Sequence, residues 1–181
     1  MQHVNTVVVT DANVLVNLCH IDYLCLFKDL SAYRFVIPEE VLDEITLPSQ
    51  RRSINRAIKL KSIGLVSIDD IQALELFAHL RRIMGKGEAA CLAFAHYQGC
   101  YLASDEKRVF KRKAVELIGQ TRILRTEDLI LSAIREGLIT ATQADQFKQV
   151  LAQNKYIMKF GSFRELFKAN EPKNSHTNIK S

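Results

Sequence analysis

The sequence has little of what marks several large protein classes. No apolar run approaches the roughly 20 residues that a membrane-spanning helix needs, and Met1-Gln2-His3 does not supply the basic start of a signal peptide. No membrane association is therefore expected, and the expected compartment is the cytoplasm. Seven glycines and three prolines among 181 residues are too few for a disordered or low-complexity chain, and no segment repeats. The four cysteines, Cys19, Cys25, Cys91 and Cys100, contain no C-x-x-C pair, and no histidine stands at zinc-finger spacing from them. Reduced, buried thiols are expected. Cys19 does adjoin His20, but a thiol catalyst needs surroundings that lower its pKa, and the run from Val14 to Cys25 reads as helix core.

What is present is the composition of one globular domain, 48% hydrophobic and 25% charged, long enough to bury a sizeable core. Lys and Arg exceed Asp and Glu by 25 to 20, a formal charge of +5, which favours a polyanionic partner. Short β-branched runs alternate with amphipathic stretches. Strands are expected at Val4 to Thr10, Arg34 to Ile37, Leu65 to Ile68, Cys100 to Ala103 and Thr121 to Leu124. Between them lie a helix from Pro38 that Pro48 ends, one from Arg51 to Ile63 with Gly64 as its cap, one from Ile71 to Ile83 capped by Asp69 or Asp70, one from Glu88 to Gln98 closed by Gly99, and one from Glu106 to Ile118. Glu127 to Glu136 and Thr142 to Gln153 are expected as two closing helices. The alternation implies right-handed crossovers and a three-layer α/β/α sandwich on a mainly parallel sheet, with extra C-terminal helices. Residues 1–153 are taken as the domain and 154–181 as an appendage, polar and frayed after 170.

In such sheets a ligand site lies beyond the carboxyl ends of the strands. Asp11 and Asp105 follow two of those ends. Each is also a good helix cap, and singly that reading is the stronger. Together, at neighbouring strand ends, they would form a carboxylate pair that repels unless a cation neutralises it. Glu44 and Glu88 are the candidates to join them. Glu40 and Glu44 lie one turn apart, so either can face the site, and Glu88 in a first turn is stabilised by the helix dipole whatever else it does.

Four segments then carry a resemblance: Val9-Thr10-Asp11-Ala12-Asn13-Val14-Leu15, Ile37-Pro38-Glu39-Glu40-Val41-Leu42-Asp43-Glu44-Ile45, Gly87-Glu88-Ala89-Ala90-Cys91-Leu92-Ala93 and Leu102-Ala103-Ser104-Asp105. In order and rough spacing, over about residues 4 to 125, they resemble the PIN-domain nucleases, including the VapC-type toxins of bacterial toxin-antitoxin pairs. The resemblance implies a metal-dependent endoribonuclease in which Asp11, Glu44, Glu88 and Asp105 form the acidic metal centre. Asn13 would orient the first carboxylate or a bound water. Mg²⁺ or Mn²⁺ is the implied cofactor, and an oxygen-only donor set suits these hard cations better than zinc. RNA is the implied substrate, with a cognate antitoxin and a homodimer as further implied partners. The third motif departs from many relatives in carrying Gly-Glu instead of an Asp, and Glu106 beside Asp105 leaves open which acids would touch metal.

Lys86, Lys107, Arg108 and Lys111 flank two of the acidic positions and are the candidates to hold the RNA backbone, although most charge runs are only solvated helix faces. Tyr97 and Tyr101 read as packing residues. Two rival enzymes fail on motif. A haloacid-dehalogenase-type phosphatase needs D-x-D where Asn13 stands, and Gly85-Lys86-Gly87 lacks the rest of a phosphate loop. The alternative from another class is a catalytically inactive PIN-like module that binds RNA or protein.

Overall fold

The computed structural model describes residues 6–169. The expected fraying after residue 170 lies outside them. In chain order the elements begin with β1 (Thr6–Thr10), α1 (Ala12–His20), α2 (Leu26–Asp29), β2 (Tyr33–Pro38), α3 (Glu39–Glu44), α4 (Pro48–Lys59) and β3 (Gly64–Val66). They continue with α5 (Ile71–Leu80), α6 (Lys86–Gln98), β4 (Tyr101–Ala103), α7 (Arg108–Ile118), β5 (Ile123–Leu124), α8 (Thr126–Arg135), α9 (Ala141–Gln153) and α10 (Phe163–Ala169). The five strands form one parallel sheet in the order β3-β2-β1-β4-β5. The chain runs outward from β1 to β3, then returns to add β4 and β5 on the other side. The order therefore reverses between β1 and β4, the switch point where α/β sheets place their ligands.

Helix packing follows from that path. α1 packs with α4, α8 and α9, while α6 packs with α3, α5 and α7. Right-handed crossovers in opposite directions put α1 and α4 on one face of the sheet and α5, α6 and α7 on the other, while α3, in the same connection as α4, contacts both α6 and α1. Strands buried on both faces read as continuous apolar runs, and Phe35, Val36 and Ile37 of β2 with Val8 and Val9 of β1 are all buried. α6 is buried nearly all round, with Ala89, Ala90, Cys91, Leu92, Ala93 and Ala95 inaccessible, so small residues let it lie close on the sheet. Each fully buried Val, Leu or Ile side chain contributes roughly 1.5 to 3 kcal/mol against the chain entropy.

Several expectations are corrected. Pro48 opens α4 at its first position, where its missing N–H costs nothing, instead of merely ending the preceding helix. α3 stops at Glu44 because Ile45 turns to extended backbone. Gly64 is the first residue of β3, not a helix cap: α4 ends at Lys59, and Lys61 takes the left-handed φ of 57° instead. A Cβ at Gly64 would come within 3.3 Å of Val36 Cγ1, which accounts for glycine in that strand. The short α2 was not expected. Of the cysteines, Cys91 and Cys100 are buried, but Cys19 is half-buried and Cys25 exposed. Beyond α9, α10 packs back on that helix, and Met158 and Phe163 are buried.

Candidate functional site

β1 and β4 pair in register through Thr10 and Ala103, and the Asp11 N–H extends the ladder one step by donating to Ala103 O at 3.0 Å. Asp11 thus lies beside Ser104 at the switch point. It caps α1, with Oδ1 accepting from Ala12 N–H at 2.8 Å. Its other oxygen, Oδ2, accepts from Ser104 Oγ and from Asn13 Nδ2, both at 3.1 Å. The carboxyl is only 2% exposed. Burial raises its pKa from 3.8 to about 7 despite the Ala12 and Ser104 donors, and the charges of Glu44 and Glu88 add to the rise.

Glu44 comes from the end of α3 and leans over the start of α6. Its Oε1 accepts from Gly87 N–H at 2.6 Å. A Cβ at Gly87 would meet Glu44 Oε2 at 2.6 Å, so the carboxylate occupies the space that any other residue would fill. Glu88 accepts the N–H of Gly85, the cap residue of α6, at 3.0 Å. Burial raises the Glu88 pKa against that donor, and Glu106 and Glu44 raise it further. The capping role open in the sequence is therefore occupied, and the same carboxylate also feels two others. Glu40, one turn before Glu44, has a buried Oε2 without a hydrogen-bond partner among the described residues, as does Thr10 Oγ1.

The two residues after Ser104 diverge. Asp105 is buried and turns toward α1 and α8: Oδ1 accepts from Thr126 N–H at 2.9 Å and from the Tyr156 hydroxyl at 2.6 Å. Its Oδ2 accepts from Asn17 Nδ2 at 2.9 Å and from Thr126 Oγ1. Tyr156 is also hydrogen-bonded to Glu127, which pairs with Arg125. Glu106 turns the other way and is exposed, with Oε1 accepting from Asn13 Nδ2 at 2.9 Å. Asn13 therefore stitches the two strand ends: it donates to Asp11 and Glu106 and accepts the Asp105 N–H at 3.1 Å. Asp11, Glu44 and Glu88 lie in electrostatic range of one another and Glu106 in range of Glu88, while Asp105 sits behind them in a network of its own.

A family model described as a PIN domain (DUF3368) matches residues 7–164. The chain belongs to the PIN-domain family. No curated protein matches it. PIN domains are typically nucleases and commonly bind Mg²⁺. Whether this PIN domain's residues suit such an ion can be judged from their chemistry. The donors are carboxylates and one Asn, with no thiol or imidazole among them, and buried Asp11 lies under the influence of two like charges that a cation would relieve. That donor set fits a hard divalent cation. Among the described residues, however, no three His, Cys, Asp or Glu side chains already converge as a formed metal group. Glu44 Oε1 and Glu88 Oε2 each accept a backbone N–H at the start of α6, which leaves the other oxygen of each carboxylate for an ion.

Of the basic candidates in this PIN domain, Lys86 pairs with Asp43 at 2.7 Å on the surface. Each holds the other in its charged form, lowering the Asp43 carboxyl and raising the Lys86 ammonium. Lys107, Arg108 and Lys111 are exposed beside Glu106. Arg108 opens α7 with a φ of 57°, strained for a residue with a side chain. Burial and Asp22 push the Cys19 thiol up to about 11, the reverse of what a nucleophile beside His20 would need. Tyr97 is 40% exposed and packs edge-on against His96. Residues that the sequence reading did not single out are Asn17, Ser104, Thr126, Glu127 and Tyr156. One signal for Asn17 was available: a second Asn four residues after Asn13, on the same face of an apolar helix.

Proposed function

We propose that this PIN domain is a divalent-metal-dependent endoribonuclease hydrolysing RNA phosphodiesters, and that it serves as the toxin of a toxin-antitoxin pair. The observation that carries the reading is the Asp11–Asn13–Glu106 arrangement at the switch point, with Glu44 and Glu88 in electrostatic range of Asp11. Asp11, Glu44, Glu88 and Glu106 would hold Mg²⁺ or Mn²⁺, and Asp105, expected from the sequence as a direct metal ligand, would instead fix the loop, since Thr126, Tyr156 and Asn17 engage both of its oxygens. The bound ion would supply water activation and charge neutralisation at the phosphodiester. Asn13 holds Asp11 and Glu106 in a common orientation, and Ser104 Oγ adds a second donor to Asp11. Lys107, Arg108 and Lys111 would hold backbone phosphates, with Lys86 joining them once released from Asp43.

The toxin role is supported by family membership. A cognate antitoxin that covers the acidic rim would silence it, and a homodimer would form through apolar helix faces, of which α5 with exposed Ile71 and Leu74 is one. The second reading, an inactive binding module, is favoured by the lack, among the described residues, of three His, Cys, Asp or Glu side chains converging as a metal group.

Titration of Mn²⁺ into wild type and Asp11→Asn, following thermal stability and cleavage of a mixed RNA pool in the same samples, separates the two. Metal-dependent stabilisation and cleavage in the wild type alone support the nuclease. Neither effect in the wild type, with RNA binding intact, supports the module.

A further inference from the structure

A cavity of about 360 Å³ adjoins the acidic cluster, sharing Glu106 with it and Arg125 with the network around Asp105. Ser104 and Glu106 form its near edge, so it begins where Ser104 Oγ touches Asp11. One face of α7, with Lys107, Phe110, Lys111 and Ala114 at helical spacing, runs along it. The opposite wall includes Ile157 and Lys159 from the segment after α9. Two features lack an explanation in the folded chain. Lys107, Lys111 and Lys159 make no ion pair among the described residues. Ile157 is 69% exposed, although its neighbours are fixed, Tyr156 by Asp105 and Met158 by burial. It is held outward at the mouth of the cavity.

We propose that this cavity seats one unpaired nucleotide of RNA adjoining the scissile phosphate, its base packed against exposed Ile157 over a floor to which buried Phe110 contributes only an edge, and its phosphates on the three lysines. The inference rests on the nuclease reading for the identity of its ligand. The volume is at the lower end of the range for small-ligand sites, which suits a single nucleotide. Apolar walls under a cationic rim match a flat base attached to a phosphate, and the contact is sequence-tolerant because every base offers an apolar face to the Ile157 side chain. A base in the cavity is unstacked, so the site selects single strands over duplex RNA.

The test compares binding of a short single-stranded oligouridine with an abasic phosphodiester of equal length, both in EDTA, to the full chain. The wild type is expected to prefer the base-bearing oligomer by about tenfold or more. Ile157→Ser should lose that preference while still binding the abasic oligomer, and Lys111→Gln should weaken both. Both sites are exposed, and thermal melting checks that each variant folds. Equal affinity of the wild type for the two oligomers, or a preference that survives in Ile157→Ser, overturns the proposal. Cleavage of the mixed RNA pool in Mn²⁺ together with equal affinity for the base-bearing and abasic oligomers overturns the cavity alone. A preference lost in Ile157→Ser without cleavage upholds the cavity and counts against the nuclease.

Discussion

The N–H of Gly87 donates to Oε1 of Glu44 at 2.6 Å, and the space where Gly87 would carry a Cβ is filled by the Glu44 carboxylate. Gly87→Ala therefore sets two effects against each other. Alanine favours the helix by roughly 0.5 to 1 kcal/mol, while loss of a hydrogen bond to a charged group costs roughly 1.5 to 3 kcal/mol. The clash itself is cheap for folding, because the obstructing atoms end a flexible side chain. Net stability should fall by no more than about 2 kcal/mol, yet Glu44 is displaced. The expected outcome is a folded protein whose Mn²⁺ affinity and cleavage rate drop about 10- to 100-fold. Unchanged Mn²⁺-dependent stabilisation in Gly87→Ala would remove Glu44 from the site.

Asp105 and Glu106 should separate by readout. Asp105 is buried and accepts from Thr126, Asn17 and Tyr156, so Asp105→Asn brings a donor into a place that already holds donors. A loss of about 2 to 4 kcal/mol in urea unfolding is expected. Glu106 is exposed, and Glu106→Gln should leave stability within about 0.5 kcal/mol while reducing Mn²⁺-dependent cleavage at least tenfold. A Glu106→Gln enzyme with wild-type turnover refutes the assignment.

The contrast shows what could be read from the sequence. Asp11 was legible because a β-branched run ending in Asp before an apolar helix admits one arrangement, and the pairing of its strand with the one before Asp105 follows from the switch in strand order. Glu106 was not. The sequence pattern starts a helix at Glu106, but α7 starts at Arg108 after an extended Lys107, so residue 106 lies in a loop without helical periodicity. The partners of Asp105 were equally hidden: Asn17 is 88 residues away and Tyr156 is 51, and no spacing rule links a strand end to a residue beyond the ninth helix.

Stability should fall as pH rises through neutrality, and Asp11 is the reason. Unfolded, its carboxyl loses a proton near 3.8; folded, burial delays the loss to about 7. The folded state holds the extra proton between those values. The contribution is therefore complete below pH 4 and lost progressively as pH rises to about 7, amounting to at most about 4 kcal/mol. In urea unfolding from pH 4 to 8 in EDTA, the wild type should decline over this window, and Asp11→Asn should decline less and be the more stable protein at pH 8. Addition of Mn²⁺ at pH 8 should restore stability to the wild type only. Parallel curves for the two proteins would mean that Asp11 is ionised throughout.

Tyr156 is the residue through which the segment after α9 reaches the site. Its hydroxyl is hydrogen-bonded to Asp105 and Glu127, and the Arg125 guanidinium lies 5.8 Å from its ring centroid. Burial and the Asp105 carboxylate keep the phenol protonated, so it serves as a donor at all ordinary pH. Tyr156→Phe keeps the ring packing and removes the hydroxyl, leaving buried Asp105 and Glu127 each with one partner fewer and Arg125 Nη2 without the oxygen it donates to. The expected cost is about 1 to 3 kcal/mol. Because the hydroxyl acts through Asp105, the double variant Tyr156→Phe with Asp105→Asn should lose less than the sum of the two single losses, by about 0.5 kcal/mol or more. Since Asp105 N–H donates to Asn13, loosening Asp105 also loosens the residue that joins Asp11 to Glu106. Cleavage by Tyr156→Phe should consequently fall through weaker metal affinity and recover at high Mn²⁺, whereas loss of a group touching the substrate would persist at saturation. Strict additivity of the two substitutions, or a defect that excess Mn²⁺ leaves unchanged, would break the link between this segment and the acidic cluster.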